Sequence, residues 1–287
     1  MNPFSSRCCQ HNHAQGWPYY SEHLILATPD NGAAIALYAA CKATLKVADG
    51  QEITLHEQTN YPFEEKISFT VNTTEDVRFP FYLRIPSWCD QPELAINGKQ
   101  KEIDPIPGKY IYIDRTWTDG DKVELNLPMK LSIRTWQVNK NSVSVNYGPL
   151  TLSLKINEEY IQKDSRSTAI YDSRWQEGAD ATQWPSYEIF PKSPWNYALV
   201  LDSKVPLKNF KVIRKEWPSD NFPFTVSNVP LEVKAIGKQI PSWTLDKYGL
   251  CSELPETNAP KGDREEITLI PMGAARLRVS AFPNTYE

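Results

Sequence analysis

Residues 66–71 read Lys-Ile-Ser-Phe-Thr-Val, in which apolar side chains at every second position alternate with hydroxyl-bearing ones. This period of two is typical of a strand with one buried face and one solvated face. Residues 123–127 repeat the pattern as Val-Glu-Leu-Asn-Leu, and turn-forming residues separate such segments along most of the chain. The sequence therefore predicts a mainly β fold of antiparallel strands, either a sandwich or a barrel.

The same reasoning places the individual elements. Asp49-Gly50 and Asn97-Gly98 predict type I′ hairpin turns, whose two central residues both need positive φ. Trp17, Tyr20 and Leu24 recur at helical spacing and predict a helix over residues 12–27. Residues 158–194 and 241–264 predict irregular segments. Strands are predicted at residues 34–39, 43–47, 52–57, 66–71, 79–85, 93–96, 110–113, 122–127, 130–135, 143–146, 150–155, 198–201, 210–214, 231–236, 266–269 and 276–281.

Composition excludes several classes of protein. The net charge is −4 and the basic residues are scattered, so we expect no nucleic-acid partner. No apolar run approaches the roughly 20 residues that span a bilayer, so no membrane span is predicted. Five cysteines, an odd and sparse set, do not form a disulfide framework. We interpret Cys41, Cys89 and Cys251 as small buried or half-buried thiols.

The adjacent pair Cys8-Cys9 is the strongest chemical signature. With His11 and His13 it concentrates thiol and imidazole groups, which zinc accepts as ligands. A disulfide between neighbouring cysteines would close a strained ring, which favours a reduced pair. The pair is therefore interpreted either as a metal site or reactive thiolate, or as two buried thiols at a helix start.

An ordered set of motifs around this pair resembles one family. The set covers Cys8 to about Leu154, and the rest of the chain fits more loosely. The motifs are Cys8-Cys9-Gln10-His11-Asn12, Leu37-Tyr38, Thr59-Asn60-Tyr61-Pro62, Leu83-Arg84-Ile85-Pro86-Ser87-Trp88, Ile96-Asn97-Gly98, Gly108-Lys109-Tyr110, Trp117, Leu127-Pro128-Met129 and Tyr147-Gly148-Pro149-Leu150. The family that they resemble is glycoside hydrolase family 127 (GH127), the β-L-arabinofuranosidase-like proteins once called domain of unknown function 1680 (DUF1680).

The resemblance implies a domain layout. Such proteins carry an N-terminal (α/α)6 barrel that holds the active site, followed by two β-sandwiches. Residues 1–30 would then be the last helix of the barrel, 31–138 the middle β-sandwich and 139–287 the C-terminal β-sandwich, with a boundary near residues 136–142. The missing barrel would leave the Trp17, Tyr20 and Leu24 face uncovered, and such a patch favours self-association, for instance as a homo-oligomer.

The resemblance also implies a chemistry. Cys8 takes the role of a zinc-bound nucleophile that forms a glycosyl thioether with retention, and Cys9 is a further zinc ligand. The carbohydrate partner would be an arabinofuranoside-type glycan. Gln10-His11 stand where related sequences have two prolines, which puts the sugar specificity in doubt. The other zinc ligands and the acid/base glutamate would lie upstream of Met1, so the isolated chain is expected to be inactive. Glu22 is read as a solvated side chain of the helix.

Two other functions remain open. One is a non-catalytic module for carbohydrate binding or barrel support, in which Trp175, Trp184 and Trp195 stack on sugars unless they fill a core. The other is a metal or redox protein that uses Cys8 and Cys9 alone.

Overall fold

The computed structural model describes residues 7–167, 178, 180–247, 249–256 and 258–287, without the side chains of residues 7–11 and 13. The chain divides into two compact units, an N-terminal unit of Cys8–Met129 and a C-terminal unit built from Lys130–Glu287. Strands dominate both units, which confirms the predicted mainly β fold. In the described part of the chain, no helix is long and apolar enough to cross a membrane.

The N-terminal unit is a helix followed by a two-sheet sandwich. One sheet has the strand order β1-β2-β6-β9 and the other the order β3-β4-β5-β10-β7-β8. The pairing is antiparallel except between β2 and β6, which run parallel. The elements are α1 (Arg7–Glu22), β1 (Ile25–Ala27), β2 (Ala33–Ile35), β3 (Cys41–Val47), β4 (Gln51–Thr59), β5 (Lys66–Thr73), β6 (Val77–Arg84), β7 (Glu93–Ile96), β8 (Lys99–Lys101), β9 (Tyr110–Trp117) and β10 (Asp121–Asn126).

Alternating side chains of the two sheets meet in one aromatic-rich core. Phe69 of β5 meets Phe81 of β6 edge to face, with ring centroids 5.6 Å apart. Trp117 is fully buried against Phe79 and donates its indole N–H to the Phe79 carbonyl at 3.0 Å. Edge-to-face aromatic contacts of this kind stabilise a core beyond their buried area. The core therefore holds the two sheets in one sandwich.

The C-terminal unit is one curled sheet and a separate hairpin. The sheet has the order β11-β12-β13-β19-β18-β16-β20, with β17 also paired to β18. Phe282 and Val143 exchange backbone hydrogen bonds of 2.8 Å, so the sheet wraps round a single core. The strands are β11 (Leu131–Trp136), β12 (Ser142–Tyr147), β13 (Leu150–Leu154), β14 (Glu158–Lys163), β15 (Ser186–Pro191), β16 (Tyr197–Leu201), β17 (Lys211–Arg214), β18 (Leu231–Gln239), β19 (Arg264–Pro271) and β20 (Asn284–Tyr286).

Several local predictions were wrong, for identifiable reasons. The helix ends at Glu22 rather than near residue 27, because residues 25–27 pair with β2 as a strand. Residues 158–194 are not irregular throughout, since β14 and β15 form a hairpin there. Residues 276–281 form no strand, because side chains hold this segment: Glu158 accepts the N–H groups of Arg276 and Leu277, and the Ser153 hydroxyl accepts that of Val279.

The two predicted turns differ in outcome. Asn97 and Gly98 form a two-residue hairpin with φ of 52° and 73°, as predicted for a type I′ turn. The β3–β4 connection instead has three residues, 48–50, and the positive φ falls on Ala48 and Gly50. The Ala48 N–H binds the Asn31 carbonyl at 2.8 Å, which ties this turn to the preceding loop.

The domain boundaries of the sequence analysis stay a prediction. Strand β11, which those boundaries assign to the middle module, pairs with β12 along its whole length inside the C-terminal unit.

Candidate functional site

The predicted site residues Cys8 and Cys9 lie at the start of helix α1. Their side chains, and those of His11 and His13, lie outside the described residues. The nucleophile and ligand roles implied for this pair therefore stay predictions.

A groove of about 470 Å³ lies at the other end of the same helix. Trp17, Tyr20 and Glu22 of α1 form one wall, and residues 39–43 at the start of β3 form the other. The Trp17 and Tyr20 rings meet edge to face with centroids 6.4 Å apart, and both are largely exposed. The predicted exposure of the helix is thus confirmed for Trp17 and Tyr20, whereas Leu24 is buried.

A buried carboxyl group stands behind the strand wall of this groove. Glu57 of β4 continues the inward-facing row of Ile53 and Leu55 and is completely buried. Its Oε1 accepts the Ala39 N–H at 3.0 Å, and the thiol of its cross-strand neighbour Cys41 lies 3.9 Å from Oε2. Burial raises the pKa of Glu57 from 4.5 to about 8, because these two contacts replace water only in part.

Glu57 also contributes to the pKa values of two side chains in the groove. Burial, and then the Glu57 carboxyl group, raise the pKa of Cys41 to about 11. Burial raises the pKa of Tyr20 as well, and Glu57 and Cys41 add to that effect. The thiolate is the reactive form of cysteine, so Cys41 is a poor nucleophile at neutral pH. The groove therefore presents a neutral thiol and a phenol beside a carboxyl group that titrates near pH 8.

Sequence reasoning missed Glu57, although one signal was present. A carboxylate at an inward-facing position of an otherwise apolar strand row is a buried charge in need of an explanation. Strongly shifted pKa values of this kind concentrate at functional sites, although structural clusters also produce them.

The other predicted residues differ in exposure. Cys89 is buried and Cys41 half-buried, as predicted, but Cys251 is exposed. Glu22 is exposed, as predicted, and its Oε1 lies 3.6 Å from His23 Nδ1.

The predicted sugar-stacking tryptophans have different environments. Trp175 lies outside the described residues, and Trp184 is exposed in the C-terminal unit. Trp195 packs on Trp243 with ring centroids 5.0 Å apart and also lines a cavity of about 590 Å³. Phe190, Leu250 and Arg278 line the same cavity. Trp195 is therefore both a packing residue and a cavity wall.

Comparison with known proteins relates the N-terminal unit to one family. Residues 32–129 match the family model described as "Beta-L-arabinofuranosidase, GH127 middle domain". The matched segment includes Glu57, Cys41 and the strand wall of the groove, and it begins after α1. No curated protein matches the chain.

Solved structures share the fold over nearly the whole chain. A GH127 β-L-arabinofuranosidase from Geobacillus stearothermophilus T6 matches with a TM-score of 0.65 and 21% identity, over 99% of this chain and 38% of that one. A glycoside hydrolase matches with a TM-score of 0.64 and 20% identity, over 98% and 40%. A GH127 β-arabinofuranosidase matches with a TM-score of 0.56 and 20% identity, over 90% and 36%.

The chain thus spans less than half the length of the solved structures that it matches. At these sequence identities the structural likeness shows a common fold. The match to the family model is the finding that relates the chain to a named family. Residues 32–129 thus match the model of the GH127 middle domain, which confirms the predicted resemblance of this chain to the GH127 family over part of its length.

Proposed function

We propose that this chain is part of a retaining glycoside hydrolase of the β-L-arabinofuranosidase type, with Cys8 as the nucleophile. The match of residues 32–129 to the GH127 middle domain is the observation that carries the proposal. The fold shared with the Geobacillus enzyme extends over 99% of this chain, helix α1 included. This supports placing Cys8 and Cys9 in a protein of the same architecture. The proposed substrate class is an arabinofuranoside-type glycan.

In this proposal the Cys8 sulfur attacks the anomeric carbon of the sugar and displaces the aglycone. Water then attacks the same carbon and releases Cys8, and two successive inversions retain the configuration. Cys9 is the proposed neighbouring zinc ligand. A bound zinc ion would keep both thiols deprotonated near neutral pH.

The described side chains do not complete such a zinc site. Among them, no three His, Cys, Asp or Glu residues lie close enough together to hold a metal ion. We therefore derive no step through zinc, and we assign its other ligands and the acid/base glutamate to a barrel domain. Because these groups are assigned to the barrel domain, we expect the chain to be inactive on its own.

Hydrolysis of 4-nitrophenyl β-L-arabinofuranoside tests this proposal. We expect no turnover by the 287-residue chain, and turnover by an extended protein in which an (α/α)6 barrel domain precedes it. In the extended protein, Cys8→Ser should abolish activity, because a hydroxyl group is a far weaker nucleophile than a thiolate at neutral pH. Cys251→Ser is the matched control, since Cys251 is exposed in the C-terminal unit.

Two results would contradict the proposal. Turnover by the chain alone would show that no barrel is needed. Full activity of the extended Cys8→Ser protein would show that Cys8 is not the nucleophile.

The cavity beside Trp195 favours a second candidate function, a non-catalytic carbohydrate-binding module. Its aromatic and apolar walls, with the Arg278 guanidinium group at the rim, suit the apolar face and the hydroxyl groups of a sugar. Glycan-array binding that is lost in Trp195→Ala, but kept in Trp184→Ala with the fold intact by circular dichroism, would support it. Absence of binding in the unmodified chain would reject it.

A further inference from the structure

A cleft of about 660 Å³ opens along one side of the N-terminal sandwich, away from the α1 groove. Strands β8 and β9 are the last strands of their respective sheets, and residues of both line the cleft. The cleft thus lies where the two sheets are not joined to each other. Edge strands of this kind present unpaired backbone N–H and C=O groups.

The floor of the cleft is apolar. Leu94, Ile96 and Ile111 are buried there, and Ile103 and Ile113 are half-buried. An apolar floor between two edge strands suits a ligand that has both C–H faces and many hydroxyl groups.

An oriented aromatic side chain forms one lip of the cleft. Tyr112 is 55% exposed, and its ring centroid lies 5.1 Å from that of its cross-strand neighbour Tyr82. The Tyr82 hydroxyl donates a hydrogen bond to Asp30, which fixes the ring that supports Tyr112. Tyr112 alternates with Ile111 and Ile113 along β9, so its ring lies on the outer face of the sheet and borders the cleft without covering the apolar floor.

The charge at the rim is positive. Lys99 and Lys101 of β8 are exposed, and among the described residues no carboxylate oxygen lies within 4.0 Å of either ammonium group. The other rim charges are largely compensated, since Arg115 pairs with Asp121 at 3.2 Å and Asp114 with Arg78 at 2.9 Å. Glu102 alone opposes the two lysines.

We propose that this cleft binds an acidic oligosaccharide, with Lys99 and Lys101, the cross-strand partners of Ile96 and Leu94 in the floor, facing its uronate carboxylates. The positive rim selects the charged sugar over a neutral one. A peptide strand is a poorer occupant, because β8 has only three residues and its lysines oppose edge-to-edge pairing. The inference is independent of Cys8, so it can fail or succeed separately from the proposed hydrolase function.

Calorimetric titration of the chain tests the inference with two matched ligands. One is a hexamer of α-1,4-linked galacturonate, and the other is the same hexamer with every carboxylate methyl-esterified. We expect binding of the acid form and a dissociation constant about tenfold weaker for the ester, because each surface ion pair contributes modestly. The preference should fall at high salt.

Variants locate the site. Lys99→Ala/Lys101→Ala should remove the preference for the acid form. Lys42→Ala/Lys46→Ala is the matched control, because these exposed lysines lie on β3, another edge strand of the same unit. A thermal melt of each variant checks that the sandwich is intact.

Three results would overturn the inference. Absence of binding would mean that the two lysines serve only to protect the sheet edge. Equal affinity for acid and ester would mean that the cleft does not recognise carboxylates. Equal losses in the β8 and β3 double variants would mean that attraction of the acid form is non-specific.

Discussion

Replacing Glu57 by glutamine should remove a pH-dependent loss of stability from the N-terminal unit. Glutamine keeps an oxygen that can accept the Ala39 N–H, but it cannot ionise. The substitution therefore isolates the effect of the buried charge from the effect of the hydrogen bond.

The sign and size follow from the pKa of Glu57. This pKa is about 8 in the folded chain against 4.5 for the ordinary group. Between these values the folded chain binds a proton that the unfolded chain has lost, so stability falls by about 1.4 kcal/mol per pH unit. The contribution of Glu57 is thus fully present below pH 4.5 and is lost as pH rises to about 8. The full loss is about 5 kcal/mol, of which about 3 kcal/mol is reached by pH 7.

Urea unfolding from pH 5 to pH 9 measures this effect. The free energy of unfolding of the unmodified chain should fall across this range, and that of Glu57→Gln should fall much less. Near pH 7, Glu57→Gln should be more stable by up to about 3 kcal/mol. Glu52→Gln is the control, because Glu52 is exposed on the same strand. Carbon NMR of the labelled Glu57 carboxyl group gives its titration directly.

The reasoning is refuted if that carboxyl group titrates near pH 4.5. It is also refuted if Glu57→Gln keeps the pH dependence of the unmodified chain.

Three further predictions use other parts of the structure. In the folded chain at pH 8, iodoacetamide should label Cys251 well before Cys41 and Cys89, as measured by peptide mass spectrometry. The reason is that Cys251 is exposed, whereas Cys89 is buried and Cys41 has a raised pKa. Faster labelling of Cys41 than of Cys251 would contradict the burial of Cys41. Asn97→Ala should lower the free energy of urea unfolding by about 1–3 kcal/mol. Asn97 has a φ of 52°, and its side-chain amide donates to Asp121 and accepts the Lys122 N–H. An unchanged midpoint of urea unfolding would contradict this stabilising role of Asn97. Gly32→Ala should lower the melting temperature, because the added Cβ would lie 2.2 Å from the Pro80 carbonyl oxygen. Gly16→Ala is the control and should not lower it, because nothing lies within 4 Å of its added Cβ. Equal melting temperatures of the two variants would count against tight packing at Gly32.

The sequence predicted best those strands whose alternation coincides with burial. The predicted strands at residues 52–57 and 66–71 lie inside β4 and β5, because one face of each is buried against the core. The β14–β15 hairpin escaped prediction since most of its side chains are exposed and its pattern carries little burial information. Residues 276–281 show the opposite case, because their alternation predicts a strand whereas side chains of Glu158 and Ser153 and one backbone bond from Leu154 hold a segment without a strand ladder.

The candidate sites were predictable to different degrees. The Cys8-Cys9 pair stands out in sequence because adjacent thiols are chemically distinctive. Glu57 looks like an ordinary polar residue of a strand, and its role depends on a cross-strand neighbour, Cys41, sixteen positions away. The β8–β9 cleft depends on which strands end their sheets, and strand order cannot be deduced from local alternation.

The bond between Val143 and Phe282 has a consequence for the synthesis of the chain. Every strand of the N-terminal unit has been made by residue 129, so this sandwich can assemble while translation continues. The C-terminal sheet cannot close until residue 282 has left the ribosome, because Phe282 forms the bridge to Val143 of β12. During that interval the C-terminal unit is incomplete, which makes it a natural client for chaperones that bind nascent polypeptides.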